Sequence, residues 1–120
     1  LAIAEVSSVP AGRYGKAALE WLGAWEAVRS RLAMTENVRA ALALAARGEA
    51  PLAVVYESDA RREPKVRLVG AFPDGSHPPV RYPLALPSAA SSARAQAFHA
   101  HLRSAAAAKI FVRHGFTVLP

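Results

Sequence analysis

Leu52-Ala53-Val54-Val55-Tyr56 is a run of apolar and β-branched residues, bounded by Pro51 on one side and by polar Glu57-Ser58-Asp59 on the other. Continuous apolarity, as opposed to alternation, marks a strand covered on both faces. Such a strand belongs in a mostly parallel sheet with helices on either side. The residues upstream agree. Residues 1–4 are a second short apolar run, after which Ser7-Ser8-Val9-Pro10 offers capping hydroxyls and a proline suited to a first helical turn. Tyr14, Ala18, Trp21 and Leu22 form a stripe at helical spacing, and Gly23 ends it. A short turn is expected at residues 25–28 and a brief strand at 31–34. A helix capped by Thr35 follows, with Val38, Ala41, Leu42 and Ala45 on its inner face and Gly48 closing it. Strands alternating with helices in this way imply βαβ units with right-handed crossovers.

Downstream, residues 66–71 read as a strand and Pro73-Asp74-Gly75-Ser76 as a turn. Residues 80–86 alternate as a strand whose Pro83 cannot donate to a ladder, placing it at an edge or at a crossing between lobes. Two helices finish the chain. One opens at Ser91-Ser92 and carries Ala95, Phe98 and Leu102; the other follows Ser104, carries Ala107, Ile110, Phe111 and His114, and ends at Gly115.

The chain has 120 residues, 52% of them hydrophobic and 20% charged, with no cysteine. This composition suits one globular domain or part of one and excludes collagen, disorder, a disulfide scaffold and a Cys-ligated metal site. No apolar run approaches the roughly 20 residues of a spanning helix. Leu1 opens the chain without Met or a charged leader, so a mature chain or a fragment is expected. The net charge of +6 raises the question of polyanions. However, the densest basic cluster, Arg61, Arg62, Lys65 and Arg67, lacks interleaved aromatics and is flanked by Glu57, Asp59 and Glu63, so no nucleic-acid partner is expected.

Motifs for catalysis are absent: there is no phosphate-binding Gly-Lys-Ser/Thr loop, no nucleophile elbow and no dinucleotide fingerprint. His99 and His101 stand two apart on a helix and face different ways, so they cannot share a metal, while His77 and His114 lie in a turn and at a helix end. The sequence is therefore read as non-enzymatic, without cofactor and without a metal held by side chains. What it does offer is two helix N-termini following strands, at Val9-Pro10-Ala11-Gly12 and Thr35-Glu36-Asn37-Val38. First-turn amides have no intrahelical acceptor and stand at the positive end of the helix dipole, so they hold anions without help from Lys or Arg. Small Ala11 and Gly12 allow close approach, and Tyr56 at the end of its strand offers a hydroxyl to the same crevice.

The segments Val9-Pro10-Ala11-Gly12-Arg13-Tyr14-Gly15, Glu36-Asn37-Val38-Arg39-Ala40-Ala41-Leu42, Val54-Val55-Tyr56-Glu57-Ser58-Asp59, Phe72-Pro73-Asp74-Gly75 and His114-Gly115-Phe116-Thr117 resemble successive segments of the periplasmic molybdate-binding proteins of ABC transporters. The resemblance runs through essentially the whole chain. It implies an α/β fold like the type II periplasmic binding proteins, here the C-terminal half of a two-lobed, three-layer α/β/α architecture. Residues 1–60 would form most of the second lobe, and residues 61–120 the crossover strands and C-terminal helices returning to a first lobe whose N-terminal part is absent. It also implies the function: binding molybdate or tungstate in the periplasm and delivering it to a membrane permease. Carried over by position, the ligand donors are the amides of Ala11 and Val38 and the hydroxyl of Tyr56, while Arg13, Lys16 and Arg39 beside them are read as solvent-facing.

Two departures stand out. Ala4-Glu5-Val6 replaces the family's Gly-Asp-Pro before the first helix. The family's two serine donors also lie upstream of Leu1, so exposed apolar edges are expected, filled by the missing N-terminal half, a second copy or a domain swap. The alternatives weighed are the effector domain of a LysR-type transcription regulator and binding of another oxyanion such as sulfate.

Overall fold

The computed structural model describes residues 1–89 and 92–119. Two compact units divide after Pro79. In the first, β1 (Ala2–Ala4) pairs in parallel with β2 (Ala33–Thr35), Ala2 opposite Ala33 and Ala4 opposite Thr35. On its other side β1 meets residues 52–54, where Ala2 N–H donates to Leu52 O (2.8 Å), Val54 N–H donates to Ala2 O (2.9 Å), and Ala2 and Ala53 form one parallel bridge. The expected strand at 52–56 is thus reduced to this bridge.

Helix α1 (Pro10–Trp21) follows β1, and α3 (Val38–Ala46) follows β2. Between them lie the short α2 (Trp25–Val28) and a 3-10 turn (Arg29–Arg31). α4 (Glu57–Ala60) follows the third strand segment. Side chains alternate across the sheet, which fixes the layers. A Cβ placed on Gly15 of α1 would meet Ile3 and Val54, whereas Ala2, Ala53 and Val55 pack with Ala41 and Leu44 of α3. The two helices therefore cover opposite faces, as right-handed crossovers to either side of β1 require. This is the three-layer α/β/α arrangement.

The core is mostly alanine: Ala2, Ala4, Ala18 and Ala41 are fully buried, and Ile3 is the largest fully buried side chain among the described residues. Small residues let the helices approach the sheet closely, and this corrects the expected inner face of α1. Ala11, Gly12, Gly15, Ala18 and Leu19 are buried, while Trp21 is 62% exposed and Leu22 is also exposed. Gly23 (φ 68°) and Gly48 (φ 75°) take the left-handed conformation that ends α1 and α3.

Thr35 does not cap α3. The N-cap is Asn37, whose side chain accepts from Ala40 N–H (2.9 Å), because Thr35 is engaged in β2 and its hydroxyl donates to Asn37 O (2.8 Å). Ser7 and Ser8 do not cap α1 either, the N-cap being Val9 with no side-chain bond. Strand β2 lies two residues later than its expected start, residues 29–31 being taken up by the 3-10 turn. Residues 66–71 form no strand; the Asp74-Gly75 turn is present, with Ser76 N–H donating to Pro73 O (3.1 Å).

The second unit begins at Val80. Its expected strand at 80–86 is not formed, and Tyr82, Leu84 and Leu86 are exposed. Helices α5 (Ala93–Leu102) and α6 (Ala105–Arg113) are present, capped by the hydroxyls of Ser92 and Ser104, which accept from Ala95 and Ala107 N–H. Ser91, read as part of the first cap, lies outside the described residues. Phe98 and Ile110, expected on inner stripes, are exposed, and only Ala107 of the two helices is buried. No helix among the described residues is long and apolar enough to cross a membrane.

Candidate functional site

Three parallel strand segments end at one edge of the sheet, and each is followed there by a chain reversal into a helix. Ala4 is level with Thr35, and Glu5 N–H extends the pairing by donating to Thr35 O (2.8 Å). The Ala2–Ala53 bridge sets the third segment in the same direction, so that Tyr56 leaves the sheet at this edge too. Ala11 is the second residue of α1, Val38 the first of α3, and Tyr56 the N-cap of α4. The C-terminal edge of parallel strands is where open α/β sheets receive ligands.

Among the described residues the N–H groups of Ala11 and Gly12 in α1, and of Val38 and Arg39 in α3, have no acceptor; the next amides along, Arg13 and Ala40, are taken by Val9 O and by the Asn37 side chain. Pro10 has no N–H to offer. Two adjacent amides without an acceptor therefore stand at each helix start, at the positive ends of two dipoles, those of α1 on the buried residues Ala11 and Gly12. No carboxylate or histidine is needed for a charge-neutral cradle, and no group of three metal-ligating side chains occurs among the described residues. Arg13 and Arg39 are exposed, and Lys16 is held by Glu20 (3.6 Å) and lies over the Trp25 ring (5.3 Å).

One element of this edge was not anticipated. Glu5 Oε2 accepts four hydrogen bonds: from Ser7 N–H (3.0 Å), Ser7 Oγ (2.9 Å), Ser8 N–H (2.8 Å) and Ser8 Oγ (2.7 Å). The donors of the turn before α1 are thus occupied by the protein's own carboxylate, leaving the amides of Ala11 and Gly12 as those without an acceptor. The signal in the sequence was an acid followed by hydroxyls two and three residues later.

These bonds, the Ser8 hydroxyl first, lower the Glu5 carboxyl to about 2. A depressed carboxylate contributes stability above its unfolded value, near 4.5, that is lost as pH falls through the folded one. The Ser7-Ser8 turn is therefore expected to hold down to about pH 2, where the Glu5 carboxyl resonance titrates by NMR; Glu5→Gln is expected to remove that titration. A midpoint near 4.5 for Glu5 would show the turn to be open.

Two cavities, of about 260 and 440 Å³, lie elsewhere in the first unit, and neither has Ala11, Val38 or Tyr56 in its wall. The three predicted donors share an edge of the sheet, with Ala11 buried and Val38 and Tyr56 half-buried.

A family model for bacterial extracellular solute-binding proteins matches residues 1–117. The molybdate-binding protein ModA of Escherichia coli (strain K12) is 47% identical over 118 residues, which are 98% of this chain and 46% of the relative. ModA of Haemophilus influenzae is 41% identical over 117 residues, again 98% of this chain and 46% of the relative. Among solved structures, a substrate-binding domain assigned to a molybdenum ABC transporter of Clostridium difficile superposes with a TM-score of 0.79 at 28% identity, covering 99% of this chain and 52% of that one. The chain thus spans about half the length of the relatives it matches.

Proposed function

This chain belongs to the bacterial extracellular solute-binding protein family, and from that premise we propose that it supplies part of a binding site for molybdate or tungstate. The observation that carries this reading is the pair of helix starts whose leading amides have no acceptor, with Ala11 and Val38 among them, beside Tyr56 at one edge of the sheet. Ala11 and Val38 donate backbone N–H, and Tyr56 donates its hydroxyl. Neutral donors suit a fully deprotonated tetrahedral dianion, because nothing in the cradle asks the ligand for a proton. Cavity size then sets molybdate apart from sulfate. The rest of the site comes from the part of the family fold outside these 120 residues. The whole protein acts in the periplasm, delivers its anion to the permease of an ABC transporter, and catalyses nothing. The extracellular solute-binding family and the molybdenum ABC transporter domain among solved structures support transport over the effector domain of a transcription regulator.

A chimera provides the test: the Escherichia coli relative with its matched stretch replaced by these 120 residues. In it, Tyr56→Phe is expected to weaken molybdate binding by about 1–3 kcal/mol, the range for a hydrogen bond to a charged partner, as read by calorimetry. Unchanged affinity would remove Tyr56 from the site.

A further inference from the structure

Residues 5–9 carry the chain from β1 into α1, and α1 starts without the usual help: among the described residues no side chain caps it, and its first turn holds no acidic residue. An ordinary cap accepts from the second or third helical amide, which in α1 are those of Ala11 and Gly12. It would fill the anion cradle with the protein's own oxygen. Glu5 fixes the helix start from outside instead. Its Oε2 gathers the N–H and hydroxyl groups of Ser7 and Ser8, and its C=O accepts from N–H of Val9, the N-cap residue (3.1 Å). Its own N–H donates to Thr35 O (2.8 Å), Thr35 gives its hydroxyl to Asn37 O (2.8 Å), and Asn37 caps α3. One residue thus seats the start of α1 and links it to the start of α3. A carboxylate beside an anion site opposes binding unless its charge is compensated, and here four donors converge on one of its oxygens.

We infer that Glu5 is a positioning residue for the oxyanion site: it holds the first turn of α1 in place while leaving the amides of Ala11 and Gly12 for the ligand. The inference rests on the molybdate reading for what those amides bind. Its physical content is preorganisation. A turn already ordered by Glu5 costs the ligand nothing to order, whereas a loose one must be fixed at the expense of affinity. Replacing the side chain removes only the bonds to Oε2, since the two backbone links of Glu5, to Val9 and Thr35, do not depend on it.

In the chimera, Glu5→Ala is expected to weaken molybdate binding by about 10-fold or more, as loss of a group that orients direct donors does. Glu5→Asp should stay within about 3-fold of the unsubstituted chimera, because a shorter carboxylate still reaches N–H groups two and three residues on, as in an Asx turn. Calorimetry well below each thermal midpoint keeps lost stability from altering the affinity. Equal binding by Glu5→Ala would overturn the inference. So would tighter binding, the mark of a carboxylate that acts by repulsion, or a failure of Glu5→Asp to recover the affinity. A second readout needs no ligand, which separates failure of this inference from failure of the molybdate reading. In the 120-residue chain, NMR order parameters of the Ser7, Ser8 and Val9 amides should fall from about 0.85 toward about 0.6 in Glu5→Ala and hold in Glu5→Asp. The Ala11 and Gly12 amide resonances should move with them. Order parameters that stay near the rigid value in Glu5→Ala would show α1 seated without Glu5 and contradict the proposal, whatever the chimera binds.

Discussion

Gly12→Ala is expected to destabilise the first unit by at least about 3 kcal/mol, at the upper end of the usual cost of overpacking. A Cβ at position 12 would stand 2.2 Å from Ala4 O and 2.3 Å from Glu5 O. Both are backbone atoms at the end of β1, so no rotamer change relieves the clash, and α1 must move away from the strand. That displacement carries Ala11 with it, so the same substitution is expected to remove molybdate binding in the chimera. Gly70→Ala is the control: nothing lies within 4 Å of its Cβ, and a cost within about 0.5 kcal/mol is expected. Denaturant midpoints compare the two directly. A Gly12→Ala midpoint equal to that of Gly70→Ala would show that α1 is not seated on β1 as described.

The second large effect is Ile3→Ala. Ile3 is fully buried at the centre of the sheet, on the face where α1 presents Gly15. Gly15, which packs against it, has no side chain to swing in and fill the space, so the cavity cost applies, about 2–5 kcal/mol; Ile3→Val should cost about 0.5–1.5 kcal/mol. A small loss for Ile3→Ala would mean that the helix collapses onto the strand and that the core is softer than its packing indicates.

The physical differences between the elements explain which of them could be read in the sequence. The alternation of strands and helices through residue 60 was legible because it rests on local signals: short apolar runs, Pro10 in a first turn, and Gly23 and Gly48 at left-handed helix ends. The two helix starts and Tyr56 could be proposed as anion donors for the same reason, and the family resemblance singled out Ala11 and Val38 within those starts. What depends on distant partners was not legible. Residues 66–71 and 80–86 carry β-prone patterns, but a strand exists only when another edge accepts its hydrogen bonds, and the described residues offer none. The inner face of α1 was misjudged because Trp21 and Leu22 outweigh glycine and alanine in any hydrophobic stripe, whereas closeness to the sheet selects the smallest side chains. Asn37 displaced Thr35 as a cap because β2 claims Thr35 first. Glu5 was noticed only as a departure from the family pattern; its role required the geometry that brings four donors to one oxygen.

The central claim is that the leading amides of α1 and α3, which have no acceptor, hold a tetrahedral oxyanion together with Tyr56. Its most direct test is a calorimetric titration of the chimera with molybdate, using sulfate at the same ionic strength as the control. Saturable heat with molybdate and none with sulfate is the predicted result. A chimera that unfolds cooperatively, and is therefore folded, but which gives no saturable heat with molybdate, or an equal response to both anions, would contradict it.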